Sequence, residues 1–383
     1  MIVRVGVPRA CLGVSGEWPR PRRRPRNRTF SSSRMRLQSW IYLAALCLVI
    51  RADSNDELDE QRTQVTSRVE GGSVPIKSGN WPILEVDGSM LNATLLRPVT
   101  VDEVAAFARD GVVMLPKMFS AGWIELLRRG FDKNVAQPTT RGRVWSRDED
   151  GRTMFWDNRA WRSVTEYRQF IMSSPAAEIA GRIMGSSRVN FYFDAIFSRS
   201  PGTQFKTPWH QDEPYWSIEG HDTLTIWMPL VRVKRKNALA YVPGSHRSSA
   251  VLNMFDFGMF NADEKADVDR VNFTAIAEAD VPDIDADPEK YGVVAWDMEP
   301  GDCVCFNSRI LHGGSGHLNS GDGLRVFTTK WTGDDARIIF REQGMDPDHS
   351  EWMKGVGLKP GDRPAHPELY PELWTRGDGA RDK

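Results

Sequence analysis

The 383-residue chain lacks most of the features that would place it in a specialised class of protein. It has four cysteines and no CxxC pair, which argues against a disulfide framework and against a cysteine-rich zinc site. Cys303 and Cys305 are spaced i, i+2, a poor arrangement for a disulfide, so we predict that both are reduced core residues. The net charge is −1, so the overall charge gives no indication of nucleic-acid binding.

The chain also lacks an apolar run of the roughly 20 residues that a transmembrane helix needs. Residues 39–50, SWIYLAALCLVI, are mostly apolar and follow an arginine-rich, acid-poor stretch. Three interpretations stay open: a signal peptide starting at Met35 and cleaved after Ala52, an organellar transit peptide, or an untranslated stretch before Met35.

These observations divide the chain into three parts. Residues 1–52 are a targeting-like or disordered segment, residues 53–80 a polar linker, and residues 81–383 the folded domain. We expect the secretory pathway or an organelle as the location, and the cytoplasm otherwise, with membrane association only through the apolar segment. The C-terminus GARDK is not a peroxisomal signal.

The first half of the domain carries helix signals. Thr100 and Glu103 form a predicted capping box before an apolar stripe that ends at Gly111. The other predicted helix boundaries are Ser120 as a cap, Ser163 with Glu166 as a second capping box, and Ser174 as a cap followed by Pro175 at N1 and Gly185 at the end.

After residue 186 the hydrophobic period changes from helical spacing to two. The segment RVNFYFDAIFS predicts a strand with Val189, Phe191, Phe193, Ala195 and Phe197 on one face. Several short strands with turn residues between them follow. This order predicts an α+β fold whose core is an antiparallel jelly roll (double-stranded β-helix, cupin-like) with N-terminal packing helices.

The segment TPWHQDEPYW, residues 207–216, contains the first chemical signal. In an extended chain the side chains of His210 and Asp212 point the same way and Gln211 points away. An imidazole and a carboxylate together suit a redox-active first-row metal, although a surface turn with a chance His-x-Asp explains three residues equally well.

A second signal comes from two histidines that lie next to strand ends among small residues. His246 follows the turn VPGSH, and His312 opens the glycine-rich segment HGGSGH, in which the backbone and a small co-substrate can approach closely. Arg325 starts the next strand, and a buried arginine requires a carboxylate partner. Two histidines, one carboxylate and an inward arginine describe an iron site with a keto-acid co-substrate.

At this point the sequence resembles the phytanoyl-CoA dioxygenase family of Fe(II)/2-oxoglutarate oxygenases from about residue 101 to residue 374. The tail is similar to a bacterial-type branch with no assigned substrate. The resemblance rests on five ordered segments: VAAFARDGVVMLPKMFSAGWIELLRRGF, TPWHQDEPYW, IWMPLVRVKRKNALAYVPGSHR, GDCVCFNSRILHGGSG and LRVFTTKW.

The resemblance implies the site and its cofactors. By position, His210, Asp212 and His312 would be the catalytic iron ligands. The co-substrate 2-oxoglutarate would be bound by Arg325, Ser315 and Trp227, and O2 would be the oxidant. Because halogenating relatives have a small residue at position 212, Asp212 favours hydroxylation of a small organic substrate, with release of succinate and CO2.

Some positions depart from the family pattern. The central turn reads Asn237-Ala238 instead of Asn-Gly, the distal loop reads HGGSG instead of HGSG, and the family's lysine has no counterpart beyond the nearby Lys206. Tyr215 and Trp216 are candidates for the substrate entrance. The alternatives to an oxygenase are a non-catalytic jelly-roll binding protein and a zinc enzyme using the same triad, which would not need Arg325. The sequence does not indicate an oligomeric state.

Overall fold

The computed structural model describes residues 90–147, 149–203, 206–248, 252, 281–314, 323–342 and 344–377. The predicted targeting segment and linker, together with Ser315, lie outside the described residues. The helices are α1 (Val101–Asp110), α2 (Ala121–Ala136), α3 (Thr165–Ser173), α4 (Ala176–Met184) and α5 (Ser350–Gly355). The strands are β1 (Val112–Leu115), β2 (Arg143–Arg147), β3 (Thr153–Asn158), β4 (Arg188–Arg199), β5 (Thr207–His210), β6 (Ile218–Glu219), β7 (Thr223–Pro229), β8 (Leu239–Tyr241), β9 (Cys303–Phe306), β10 (His312–Gly314), β11 (Leu324–Thr332), β12 (Arg337–Ile338) and β13 (Glu372–Thr375).

Two antiparallel sheets form the core of the described domain. The large sheet has the strand order β1-β9-β7-β11-β4-β3-β2, and β13 also pairs with β4. The small sheet has the order β5-β10-β8, and β6 pairs with β12 beside them. Strands distant in sequence are neighbours in both sheets, as in a jelly roll. The predicted α+β fold with a jelly-roll core is confirmed.

The helices form where local capping signals predicted them. In α1 the Thr100 hydroxyl accepts from the Glu103 amide at 3.2 Å, and the Glu103 carboxylate accepts from the Thr100 amide at 2.8 Å. Gly111 ends α1 with a left-handed φ of 74°. The Ser120 hydroxyl caps α2 by accepting from the Trp123 amide. No helix in the described part of the chain is long and apolar enough to cross a membrane.

The second predicted capping box is wrong. Val164, not Ser163, is the N-cap of α3, and the Ser163 hydroxyl donates to the Ala160 carbonyl inside a preceding 3₁₀ turn. The Glu166 carboxylate binds the Lys133 ammonium of α2 and the Thr165 hydroxyl, and it does not reach back to the Ser163 amide. A partner from another helix therefore replaces the local cap.

Helix α4 differs from the prediction by one position. Pro175 is the N-cap rather than the first helical residue. The Ser174 hydroxyl still accepts from the Ala176 amide at 3.3 Å, and Gly185 ends the helix in the left-handed conformation.

Strand β4 changes faces at an irregularity in its pairing with β11. Phe193 pairs with Lys330 and Phe191 pairs with Trp331, so Tyr192 is an extra residue between them. Before this bulge, odd-numbered residues of β4 such as Phe191 pack towards the helices. After it, odd-numbered residues such as Phe193 face the space between the sheets. The prediction that alternate residues from 189 to 197 share one face is therefore wrong.

The main hydrophobic core lies between the large sheet and helices α1 to α4. Phe327 of β11 contacts the rings of Tyr167 and Phe170 of α3, with centroid distances of 4.6 and 5.7 Å. Cys303 and Cys305 of β9 are buried in the same core as free thiols, as predicted. The helices thus close one face of the sheet and leave the other face for the site.

Candidate active site

Three predicted ligands come together at the end of the small sheet. His210 at the end of β5 and His312 at the start of β10 are paired across neighbouring strands. The Oδ1 atom of Asp212 lies 3.5 Å from Nε2 of His210 and 3.6 Å from Nε2 of His312. All three ligand atoms lie within 4.8 Å of one another, an arrangement that could hold one metal ion.

Hydrogen bonds fix both imidazoles as metal ligands require. Nδ1 of His210 donates to the Pro208 carbonyl at 2.8 Å, and Nδ1 of His312 donates to the Ile310 carbonyl at 3.0 Å. Because a carbonyl oxygen only accepts, each Nδ1 carries the proton and each Nε2 presents a lone pair towards Asp212. Burial, with a smaller effect from His210, lowers the pKa of His312 to about 4, so this ring is neutral at neutral pH.

Asp212 is held ionised and in place. Burial raises the pKa of this carboxyl, but His312, His210 and Lys330 outweigh burial and leave the pKa below its ordinary value. The Asp212 amide donates to the Ser308 carbonyl at 2.8 Å. Gln211 points away and donates to the Arg309 carbonyl at 2.7 Å, as its place between the two ligands predicted. Two neutral imidazoles and one carboxylate fit a divalent iron ion.

The triad forms part of the wall of a cavity between the two sheets. The large sheet contributes residues of β2, β3, β4, β7, β9 and β11, and the wall as a whole includes eight tryptophan, tyrosine and phenylalanine side chains. The lining residues are Trp145, Met154, Trp156, Phe193, Phe197, Arg199, Thr207, His210, Asp212, Tyr215, Trp216, Thr225, Trp227, Leu239, Phe306, His312, Leu324, Thr328, Lys330, Asp346 and Pro347. Trp227, Tyr215 and Trp216 are therefore placed at the cavity, where the sequence predicted them.

Arg325, the predicted co-substrate ligand, does not line this cavity. Its guanidinium carbon lies 6.0 Å from the centroid of the Phe131 ring of α2, and it interacts electrostatically with Asp132 of the same helix. The reason is strand alternation: Leu324 and Thr328 face the cavity, so Arg325 faces the helices. The structure thus brings the triad together and separates Arg325 from it.

Two cations that the sequence analysis did not single out line the cavity instead. Arg199 at the end of β4 is 4% exposed, and its Nη2 donates to the hydroxyl of Thr207. Lys330 of β11 is buried, and its ammonium donates to the Thr328 hydroxyl. Burial lowers the pKa of Lys330 to about 8, although Asp212 and Asp194 act in the opposite direction. A lysine in the middle of a predicted strand was the only sequence signal for Lys330, because lysine is almost never fully buried.

Lys206, considered from sequence as the family's lysine, lies elsewhere. Its ammonium forms an exposed ion pair with Asp285 at 3.0 Å and does not reach the cavity.

Comparison with known proteins gives a family match. The profile of the phytanoyl-CoA dioxygenase (PhyH) family matches residues 107–326, more than half of the chain. Ectoine dioxygenase of Sphingopyxis alaskensis is 24% identical over 243 residues, which cover 58% of this chain and 72% of that protein.

Solved structures show the same fold. The non-heme α-ketoglutarate-dependent carbocyclase SnoK from nogalamycin biosynthesis has a TM-score of 0.55 and 20% identity, over 73% of this chain and 99% of SnoK. The epimerase SnoN, solved with Fe³⁺, α-ketoglutarate and nogalamycin RO, has a TM-score of 0.51 and 18% identity, over 71% of this chain and 98% of SnoN.

The fold and the triad define a jelly-roll oxygenase that uses iron and a keto acid. The chain belongs to the phytanoyl-CoA dioxygenase family. It is a 2-oxoglutarate-dependent dioxygenase whose cofactors and co-substrates are Fe(II), 2-oxoglutarate and O2. A small-molecule substrate is consistent with this family.

Proposed function

We propose that this protein hydroxylates a C–H bond of a small organic substrate and releases succinate and CO2. The observation that carries the proposal is the carboxylate of Asp212, placed between the Nε2 atoms of His210 and His312 on the cavity wall. His210, Asp212 and His312 would hold Fe(II) and leave it accessible to the keto acid and O2 from the cavity. A carboxylate at position 212 also takes the position that a halide would need.

The chain's own residues orient and protect the reacting groups. Bound Fe(II), with 2-oxoglutarate and O2, supplies the oxidation of the C–H bond. The Pro208 and Ile310 carbonyls keep both imidazoles in the ligating tautomer. The Thr225 hydroxyl, 3.5 Å from Oδ2 of Asp212, helps to orient the carboxylate from the large sheet. The apolar wall excludes water from the site.

The cavity wall supports a substrate with an apolar body and one oxygen acceptor. Trp145 and Trp156 are stacked edge to face at 5.4 Å, and together with Trp216 they provide broad apolar surfaces. Lys330 is the cation on β11 at this cavity, and its ammonium lies 4.8 Å from the Phe193 ring. A carboxylate or carbonyl oxygen of the substrate would accept a hydrogen bond from Lys330.

The decisive experiment follows the fate of oxygen. The iron-loaded protein is incubated with 2-oxoglutarate, ¹⁸O2 and a panel of apolar carboxylic acids and ketones, and succinate and product masses are measured together. We expect one labelled oxygen atom in the product for each succinate formed. The control is Asp212→Ala, which should form neither product nor succinate.

Other outcomes have distinct meanings. SnoK and SnoN are described as a carbocyclase and an epimerase, so ring closure and epimerisation are the competing reactions. Succinate with a product that lacks labelled oxygen would refute hydroxylation and keep the enzyme class. A protein that retains zinc and forms no succinate with any compound would favour the zinc enzyme or the non-catalytic protein.

A further inference from the structure

Arg325, which the sequence predicted to bind the co-substrate, lies outside the cavity. At the beginning of β11 the residue that faces the cavity is Leu324, while Arg325 faces α2. A 2-oxoglutarate molecule bound at the triad would therefore meet an apolar side chain where the sequence predicted a guanidinium. Either the distal carboxylate has no cationic partner, or another residue supplies one.

Arg199 is placed to supply that partner. In the register of β4 and β11, Arg199 is directly opposite Leu324. Side chains at directly opposed positions lie on the same face, with Cβ atoms about 5 Å apart. An arginine at position 199 therefore reaches the same space as an inward arginine at position 324.

The guanidinium of Arg199 has a defined position within the cavity. Its Nη2 donates to the Thr207 hydroxyl of β5. A Cβ added to Gly314 of β10 would lie 3.3 Å from the same Nη2, so the glycine leaves room for it. Gly314, the second glycine of the HGGSG segment that differs from the family's HGSG, thus lies next to Arg199. Burial lowers the pKa of Arg199 to about 10, and the group keeps its charge at neutral pH.

The separation from the triad matches the length of the co-substrate. Gly314 lies two residues after His312 on β10, and two residues of strand span about 6.6 Å. A five-carbon dicarboxylate that chelates a metal through its keto-acid end extends over a comparable distance. Lys330 is not placed at this distance from the triad. It lies six positions along β11 from Leu324, and the triad carboxylate Asp212, with Asp194, acts on its charge.

We propose that Arg199, together with Thr207, binds the distal carboxylate of 2-oxoglutarate, and that Arg325 is a structural residue between β11 and α2. This assignment rests on the use of 2-oxoglutarate and is independent of which substrate is oxidised.

The experiment compares two ligands that differ only in the distal carboxylate. Anaerobic Fe(II)-loaded full-length protein is titrated with 2-oxoglutarate and with 2-oxopentanoate, and binding is followed by the visible charge-transfer band. The variants are Arg199→Gln and the matched control Arg325→Gln. We expect wild type and Arg325→Gln to bind 2-oxoglutarate about 100-fold more tightly than 2-oxopentanoate. In Arg199→Gln the preference should fall below about fivefold, with 2-oxopentanoate bound as in wild type.

The ratio of the two affinities distinguishes anchoring from a structural role. A merely structural arginine would weaken both ligands equally, and an unchanged preference in Arg199→Gln would overturn the proposal. So would a preference lost only in Arg325→Gln. Wild type that binds iron but shows no band with either keto acid would overturn the assignment of the co-substrate itself, and this proposal with it.

A rescue variant covers the case in which Arg199→Gln does not fold. The double variant Arg199→Leu with Leu324→Arg moves the guanidinium to the opposed position on β11 and conserves the composition of the pair. Recovery of at least tenfold preference for 2-oxoglutarate would support the proposal. Loss of the preference in a double variant that still binds iron would contradict it.

Discussion

The two faces of strand β11 differ in what they bury. Towards the helices, Phe327 and Trp331 pack in a closed aromatic core with α3 and β4. Towards the cavity, Thr328 and Lys330 bury polar groups beside the ligand Asp212. Residues adjacent in sequence therefore serve different purposes, because successive side chains of a strand point to opposite faces.

This difference separates the source of stability from the source of reactivity. Apolar burial on the helix face stabilises the fold, whereas a buried ammonium or carboxylate on the cavity face costs free energy unless it is paired. We therefore expect substitutions on the helix face to change unfolding and substitutions on the cavity face to change chemistry.

The largest expected effect is on the cavity face. Asp212→Ala should lower iron-dependent turnover by more than about 1,000-fold, because even outer partners of metal ligands contribute about 10- to 100-fold. Succinate formation and bound iron are the measurements. The matched control is Asp346→Ala: that carboxylate also lines the cavity but forms an ion pair with Arg143, and its removal should leave iron bound. Full turnover in Asp212→Ala would refute the ligand assignment.

The next effect is on the helix face. Phe327→Ala should lower the free energy of unfolding by about 3–5 kcal/mol, because it leaves a cavity between β11 and α3. Chemical denaturation measures this change, and the folded fraction should retain its iron. Val101→Ala, at an 80% exposed position, is the control and should change stability by less than about 0.5 kcal/mol. Equal losses in the two variants would contradict the closed core.

A smaller, pH-dependent effect is expected at His349, a buried polar residue outside the cavity. Its Nδ1 lies 2.7 Å from the Tyr370 hydroxyl, and burial, with Arg159 and Arg141, holds its pKa well below the ordinary 6.5. Below pH 6.5 the unfolded chain binds a proton that the folded protein does not. Stability is therefore lost as the pH falls, by up to about 1.4 kcal/mol per pH unit.

The variant His349→Gln tests this assignment. Its free energy of unfolding should fall less steeply than that of wild type between pH 6.5 and pH 5. The free energies of unfolding of both proteins at pH 7.5, where His349 is neutral in the folded and the unfolded state, give the part of the change that is due to packing. Parallel pH profiles would show that His349 is protonated in the folded protein.

The smallest expected effect concerns the apolar wall. Trp227 lines the cavity and is the tryptophan predicted beside the co-substrate, and Trp227→Phe keeps an aromatic surface there, so the affinity for 2-oxoglutarate should fall by less than about tenfold. The charge-transfer titration measures it. Trp352→Phe, at a tryptophan that packs under Arg159 and does not line the cavity, is the control and should bind 2-oxoglutarate as wild type does.

Features that depend on nearby residues were predictable from the sequence. The spacing of His210 and Asp212 indicated two of the three groups that the structure brings together, and the family resemblance selected His312 as the third. The capping box of Thr100 and Glu103 is likewise a local arrangement. The family resemblance covers the same jelly roll that the strands form.

The face of the sheet on which a strand residue lies was not predictable from the sequence. Arg325 was predicted to face inwards, but one position decides the face, and only the pairing with β4 shows that Leu324 holds the inward place. Arg199 and Lys330 were missed for the same reason. The capping box of Ser163 failed because its hydroxyl donates to the Ala160 carbonyl, and because Lys133, 33 positions from Glu166, pairs with the carboxylate.

The extra residue at Tyr192 has a consequence for comparing this chain with its relatives. Every position of β4 after the bulge, including Arg199, has its orientation because Tyr192 is an extra residue in the pairing with β11. Counting alternate residues from Val189 straight through the bulge would exchange inward for outward residues along the rest of the strand. That count would place Arg199 on the face towards the helices. Homologous anchors should therefore be sought by strand pairing, with the count restarted at residue 193.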